Sequence, residues 1–276
     1  MIFASPPIME RKLPKVFTAQ QVADYCEKGY AAPAQVLSRE EAVEFRTGFE
    51  TYEISKWGRS GRAYDDADGR EWLRKPHRYA RWAFELVTHP RVVDAIEDIL
   101  GPNVMLWDSK LFPKPARSAS YVSWHQDGTY LGLEPLTDVL TAWIALSDSL
   151  PENGAMRAIP GSHKHGQLEH SATFAEGNLL LNGQVIEGIE DAAAVDIPLR
   201  AGEMSVHHMM LVHGSLPNAS EQPRIGISIN YVTPVVCETK MTRPALLLRG
   251  EDRYGHFAPL HSPFISASPV FGTHTD

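Results

Sequence analysis

The chain has 276 residues, 43% of them hydrophobic and 22% charged, with a formal net charge of -8. Those proportions suit a soluble globular protein with a sizeable core and exclude a disordered chain. An acidic chain without a long Lys/Arg run lacks a phosphate-binding stripe, which argues against nucleic acid and membrane and leaves a small molecule as the expected partner.

The length is within reach of one domain, and a single domain over 1–276 is expected. Cys26 and Cys237 lie far apart without metal-type spacing, as a reducing compartment would leave them. Residues 1–15 carry charges and prolines instead of an apolar signal core, and no stretch reaches the roughly 20 apolar residues that span a bilayer. A cytoplasmic location is therefore expected.

Thr18 with Gln21 predicts a capping box, Phe17 and Val22 a hydrophobic staple, and Gly29 a stop, so a first helix spans this stretch. Ser38 with Glu41 repeats the device, and Pro90 opens a helix carrying Val92, Val93, Ile96, Ile99 and Leu100 before Gly101. Residues 16–101 thus read as mainly helical, interrupted by a Gly- and charge-rich loop at 58–70.

From Val104 onward, short Val-, Ile-, Trp- and Tyr-rich segments alternate with Pro, Gly, Asn and Asp. Strands are predicted at 104–107, 121–124, 140–146, 156–159, 195–197, 202–206 and 225–232. None is spaced for a crossover helix. The expected fold is mainly β: a double-stranded β-helix (a cupin-like jelly roll) over 102–235, with helices gathered at one end and a tail at 236–276. Alternation over 224–231 puts Arg224, Gly226, Ser228 and Asn230 on a pocket-lining face and isoleucines on a face toward the helices.

His125 and Asp127 are two residues apart at the end of a predicted strand, so both can reach one metal. A third ligand must come from elsewhere. His213, in Leu211-Val212-His213-Gly214-Ser215, is the preferred one, because small residues follow it; His207 and His208 compete. Two histidines and one carboxylate leave open positions on Fe(II), suiting O2 chemistry, and keep a net positive charge that attracts an anionic chelator such as 2-oxoglutarate. His163 and His165 read as solvated loop residues.

Together, Trp124-His125-Gln126-Asp127, Thr141-Ala142-Trp143, Glu152-Asn153-Gly154, Pro160-Gly161-Ser162-His163, and His213-Gly214-Ser215 followed by Asn218 and Arg224 resemble the phytanoyl-CoA dioxygenase family of Fe(II)/2-oxoglutarate oxygenases. The resemblance implies that His125, Asp127 and His213 bind iron and that Arg224 clamps the far carboxylate of 2-oxoglutarate. It further implies that Ser215 touches that carboxylate and that Trp143 lies beside the co-substrate. Lys114 resembles a basic residue that some members use on the co-substrate. The intact Asp127 favours hydroxylation over halogenation.

The expected function is Fe(II)-, 2-oxoglutarate- and O2-dependent hydroxylation of a small organic substrate with release of succinate and CO2. Two other readings stand beside it: a cupin-like isomerase or hydrolase that ignores 2-oxoglutarate, and a non-catalytic ligand-binding jelly roll. Residues 58–70, 130–135 and 254–271 are the expected substrate walls.

Overall fold

Thr18 caps the first helix as predicted. In the computed structural model, which describes residues 13–57, 73–173, 175–180, 183–260 and 264, the Thr18 hydroxyl accepts the Gln21 N–H at 3.2 Å and the Gln21 side chain accepts the Thr18 N–H at 2.9 Å. Helix α1 (Ala19–Lys28) ends at Gly29, whose φ of +85° is the left-handed stop that glycine adopts without strain. Strand β1 (Tyr30–Gln35) follows directly. Ser38 and Glu41 form a second reciprocal cap opening α2 (Arg39–Trp57). Then come α3 (Arg81–Val87), which the sequence did not announce, and α4 (Pro90–Leu100), with Pro90 in its first turn.

The β-rich part runs through β2 (Val104–Leu111), β3 (Val122–His125), β4 (Leu133–Glu134), β5 (Val139–Ala145), β6 (Met156–Ala158), β7 (Ser171–Ala172), β8 (Gln184–Val185) and β9 (Val195–Ile197). It continues with β10 (Glu203–His208), β11 (His213–Ser215), β12 (Gly226–Val232), β13 (Cys237–Glu238), β14 (Pro244–Arg249) and β15 (Ala258–Pro259). A seven-stranded sheet has the order β1-β10-β5-β12-β2-β14-β15, and a four-stranded sheet the order β3-β11-β6-β9. The two sheets make the jelly roll.

The apolar half of the predicted alternation does face the helices. Ile225, Ile227, Ile229 and Tyr231 share one buried cluster with Leu86 and Val87 of α3 and Val92, Ala95 and Ile96 of α4. Burying each such side chain contributes about 1.5 to 3 kcal/mol relative to exposure, so this face fixes which way β12 turns. Tyr231 adds a hydrogen bond from its hydroxyl to the Val87 carbonyl at 2.7 Å. The helices therefore lie along the outer face of the large sheet and buttress the jelly roll, as the isoleucine face predicts.

The expected boundaries of the β core need correction. β1 comes from the stretch read as helical, and β14 and β15 from the stretch read as a tail. β1 contains Pro33, which an edge strand tolerates, and three alanines, which carry no β signal. In β14 three consecutive leucines are as compatible with helix as with strand; antiparallel pairing to β2 decides.

Candidate metal centre

His125 is the last residue of β3, Asp127 opens the short 3-10 turn Asp127–Tyr130 that follows, and His213 is the first residue of β11. His213 and His125 are direct cross-strand partners, which brings residues 88 apart in sequence to a ring-centre separation of 4.2 Å. Gln126 anchors the turn: its fully buried amide donates to the Gly166 and Met210 carbonyls, each at 2.8 Å, and accepts the Leu168 N–H at 2.9 Å.

The proton positions follow from the partners. His125 Nδ1 faces the carbonyls of Ser123 and His213 at 2.9 and 3.0 Å, and His213 Nδ1 faces the Leu211 carbonyl at 2.9 Å. A carbonyl only accepts, so each Nδ1 carries the proton and each neutral ring turns a bare Nε2 lone pair inward. These meet Asp127 Oδ1, at 3.2 Å from His125 Nε2 and 3.7 Å from His213 Nε2. Three lone pairs converging within 4.8 Å of one another are repulsive without a cation between them and are the donor set of a 2-His-1-carboxylate metal site.

Ionisation states agree with that role. Burial opposes the Asp127 charge, but the surrounding imidazoles, His213 first and then His125 and His207, outweigh it and hold the carboxyl well below its usual range. Burial, reinforced by His125, holds His213 well below the usual imidazole range, so it presents a neutral ligand.

Of the competing histidines, His207 is buried against the other carboxylate oxygen, with Nε2 at 3.2 Å from Asp127 Oδ2, and the Thr141 hydroxyl donates to the same oxygen at 2.7 Å. His208 turns away toward Tyr25 and His163. His163, expected in solvent, packs its ring 5.1 Å from that of His208 and lies 3.2 Å from the Cys26 carbonyl, so it ties the turn at 162–165 to α1. His165 is exposed.

Two cavities meet at the triad. The inner one, about 60 Å³, is lined by Phe112, Trp143, His213, Arg224 and Ser228 among others. Arg224 is 3% exposed and donates to the Gly154 carbonyl and, at 3.1 Å, to the Phe112 carbonyl. Its guanidinium lies over the Trp143 ring. That ring occupies the space beside Gly226, where a Cβ would collide with it. Lys114, fully buried, is the backbone partner of Arg224 and donates to Ser215 Oγ at 2.7 Å and to the Leu216 carbonyl. Burial and the neighbouring Arg224 push its ammonium down to about 6. Ser215 is not among the residues lining the inner cavity. Gly214 does line it, yet its missing side chain also admits the Val122 and Ser123 backbone of β3.

The outer cavity, about 250 Å³, shares Phe112, His125, Asp127 and Ser228 with the inner one and adds Arg74, Asp108, Lys110, Leu131, Asn230 and Arg243. Of the expected walls, the 130–135 segment supplies Leu131. Tyr254 instead lines a separate groove with Asn103 and Pro234, and residues 58–70 and 265–271 lie outside the described residues.

The phytanoyl-CoA dioxygenase (PhyH) family model matches residues 25–226, nearly three quarters of the chain, including every triad residue and Arg224. The chain belongs to that family. A probable alpha-ketoglutarate-dependent hypophosphite dioxygenase of Stutzerimonas stutzeri is 30% identical over 229 residues, covering 77% of this chain and 78% of the relative. A 1-deoxypentalenic acid 11-beta-hydroxylase of Streptomyces arenae is 27% identical over 228 residues, covering 78% and 70%. Among solved structures, the apo non-heme monooxygenase ThoJ is similar with a TM-score of 0.75 and 36% identity over 88% of each chain. As a PhyH-family protein, this chain is an Fe(II)- and 2-oxoglutarate-dependent oxygenase of small molecules.

Proposed function

We propose that His125, Asp127 and His213 hold the Fe(II), that Arg224 receives the far carboxylate of 2-oxoglutarate beside Trp143 with Lys114 and Ser215 behind it, and that a small anionic molecule occupies the outer cavity. The observation that carries the first assignment is the convergence of two Nε2 lone pairs and Asp127 Oδ1, with both Nδ1 protons tied to carbonyls. With Fe(II), 2-oxoglutarate and O2 bound, the site supplies oxidation of an unactivated C–H bond with release of succinate and CO2.

Arg224 contributes a planar, permanently charged fork buried at the end of the inner cavity, where few waters compete for a carboxylate. Lys114 lies beside it, and a carboxylate bound there would favour its charged form. Ser215 acts through Lys114, whose ammonium its hydroxyl holds. Trp143 gives the co-substrate a flat wall and seats the guanidinium.

The substrate class rests on the outer cavity, where Arg74, Lys110 and Arg243 face Asp108. Arg74, Lys110 and Arg243 can receive an acid there once Asp127 is committed to the metal, and the substrates named for two relatives, hypophosphite and 1-deoxypentalenic acid, are of that kind. Both cysteines are free thiols and, among the described residues, no helix is long and apolar enough to cross a membrane. We place the enzyme in the cytoplasm on the first of these.

Anaerobic titration with Fe(II) and then 2-oxoglutarate tests the assignment. A visible charge-transfer band that His213→Ala abolishes is expected. Iron binding without the band would favour a metal enzyme that ignores 2-oxoglutarate. For the substrate, succinate formation should be stimulated by carboxylates or phosphonates over their neutral amides and esters, and the preference should shrink in Lys110→Met.

A further inference from the structure

His207, Thr141 and Asn230 stand side by side on three neighbouring strands, β10, β5 and β12. The sheet register pairs His207 with Thr141 and Thr141 with Asn230, so the three side chains form one row across the inner face of the large sheet. Asp127 lies against that row. The row reaches it with two donors: Thr141 Oγ1 at 2.7 Å and His207 Nε2 at 3.2 Å, both on Oδ2.

The direction of each bond is fixed by chemistry. Asn230 Nδ2 donates to Thr141 Oγ1 at 2.9 Å, which leaves the single hydroxyl proton of Thr141 for the carboxylate. A carboxylate oxygen only accepts, so His207 carries its proton on Nε2. His207 Nδ1 is buried with no partner among the described residues, so nothing but Asp127 fixes this imidazole through hydrogen bonding. Oδ2 is thereby saturated on the sheet side, and Oδ1 alone is turned toward His125 and His213.

We propose that His207, Thr141 and Asn230 are positioning residues that hold Asp127 as a one-oxygen iron ligand, keeping the remaining coordination positions free for 2-oxoglutarate and O2. Without the row, the carboxylate is free to rotate and chelate through both oxygens, closing a position that the reaction needs. His207 also lines the inner cavity and Asn230 the outer one, so the row runs beneath the ligand from the co-substrate end to the substrate end. This inference rests on the assignment of His125, Asp127 and His213 as the iron ligands.

Thr141→Val removes the hydroxyl at nearly constant volume and keeps β branching, His207→Phe removes the imidazole donor, and His207→Gln restores an N–H. Each is read by Fe(II) affinity under anaerobic conditions and by the electron paramagnetic resonance of the Fe(II)–2-oxoglutarate complex with nitric oxide. Thr141→Val and His207→Phe should weaken Fe(II) binding about 10- to 100-fold and change the rhombicity of the nitrosyl signal, with His207→Gln recovering toward wild type. An unchanged affinity and signal in folded Thr141→Val overturns the proposal even if His207→Phe fails to fold. A wild-type protein that binds no Fe(II) takes down the iron-ligand assignment and this inference with it, and Fe(II) binding without a 2-oxoglutarate band takes down the co-substrate reading and the need for open positions. A normal wild-type band with unaltered variants overturns the inference alone.

Discussion

The Arg224 guanidinium lies 5.3 Å from the centre of the Trp143 indole, and the ring can lie there because residue 226 has no side chain. Platform and gap come from two adjacent strands, β5 and β12, and the clamp stands two residues before β12 begins. Arg224→Lys keeps the charge and loses the fork. A hydrogen bond to a charged group is worth about 1.5 to 3 kcal/mol, so 2-oxoglutarate affinity should fall about 10- to 100-fold with Fe(II) affinity little changed. Isothermal titration of both ligands checks this, and equal losses for both would point to collapse of the site instead. Gly226→Ala should move the indole and lower 2-oxoglutarate affinity as well, at about 1 to 3 kcal/mol in stability.

His213→Ala should abolish the thermal stabilisation that Fe(II), or Ni(II) as a redox-inert substitute, gives the wild type. A ligand that binds only the folded state at 100 times its Kd adds about 2.7 kcal/mol, which the variant should lack. Differential scanning fluorimetry with and without metal reads the difference, and the variant without metal should melt close to the apo wild type.

Tyr231→Phe examines the other side of the same strand. Its hydroxyl reaches the Val87 carbonyl among the helices, and losing the bond should cost about 0.5 to 3 kcal/mol, the upper end applying because the carbonyl is left unpaired. Fe(II) and 2-oxoglutarate affinities should stay as they are, since the polar face of β12 is untouched. Chemical denaturation with parallel ligand titration separates the two quantities.

His77 predicts acid sensitivity of the apoprotein. Burial, with help from Arg78 and Lys75, pushes its imidazole down to about 3. Below about 6.5 the unfolded chain therefore takes up a proton that the folded chain refuses. Its contribution to stability is full above 6.5 and lost progressively as pH falls toward 3, amounting to roughly 2 kcal/mol by pH 5. Urea midpoints between pH 7 and 5 should fall less steeply in His77→Gln than in wild type, and equal slopes would refute the assignment.

The sequence carried the parts of the site that depend on local order. The two-residue step from His125 to Asp127, the alternation behind Arg224 and the caps at Thr18 and Ser38 are each set by neighbours in the chain, and the structure keeps them. What it did not carry depends on register. Thr141 sat inside a recognised motif without a role, His207 competed only as a ligand, and Asn230 was one of several polar residues on a strand face. Their common address exists only once β10, β5 and β12 are paired. Strands β1 and β14 escaped for a related reason: their composition is neutral, and the sheet itself selects their conformation.

His125 and His213 meet as partners across an antiparallel pair whose halves are separated by 88 positions. Closing so long a loop is entropically slow, and neither histidine has its full set of companions before β3 finds β11. Iron thus arrives at a finished building instead of serving as its scaffold. Refolding at the metal-free rate with slower unfolding of the loaded protein is the outcome expected when the contacts clasped by the ion form after the folding barrier, and faster refolding with Fe(II) would place β3–β11 pairing at the barrier.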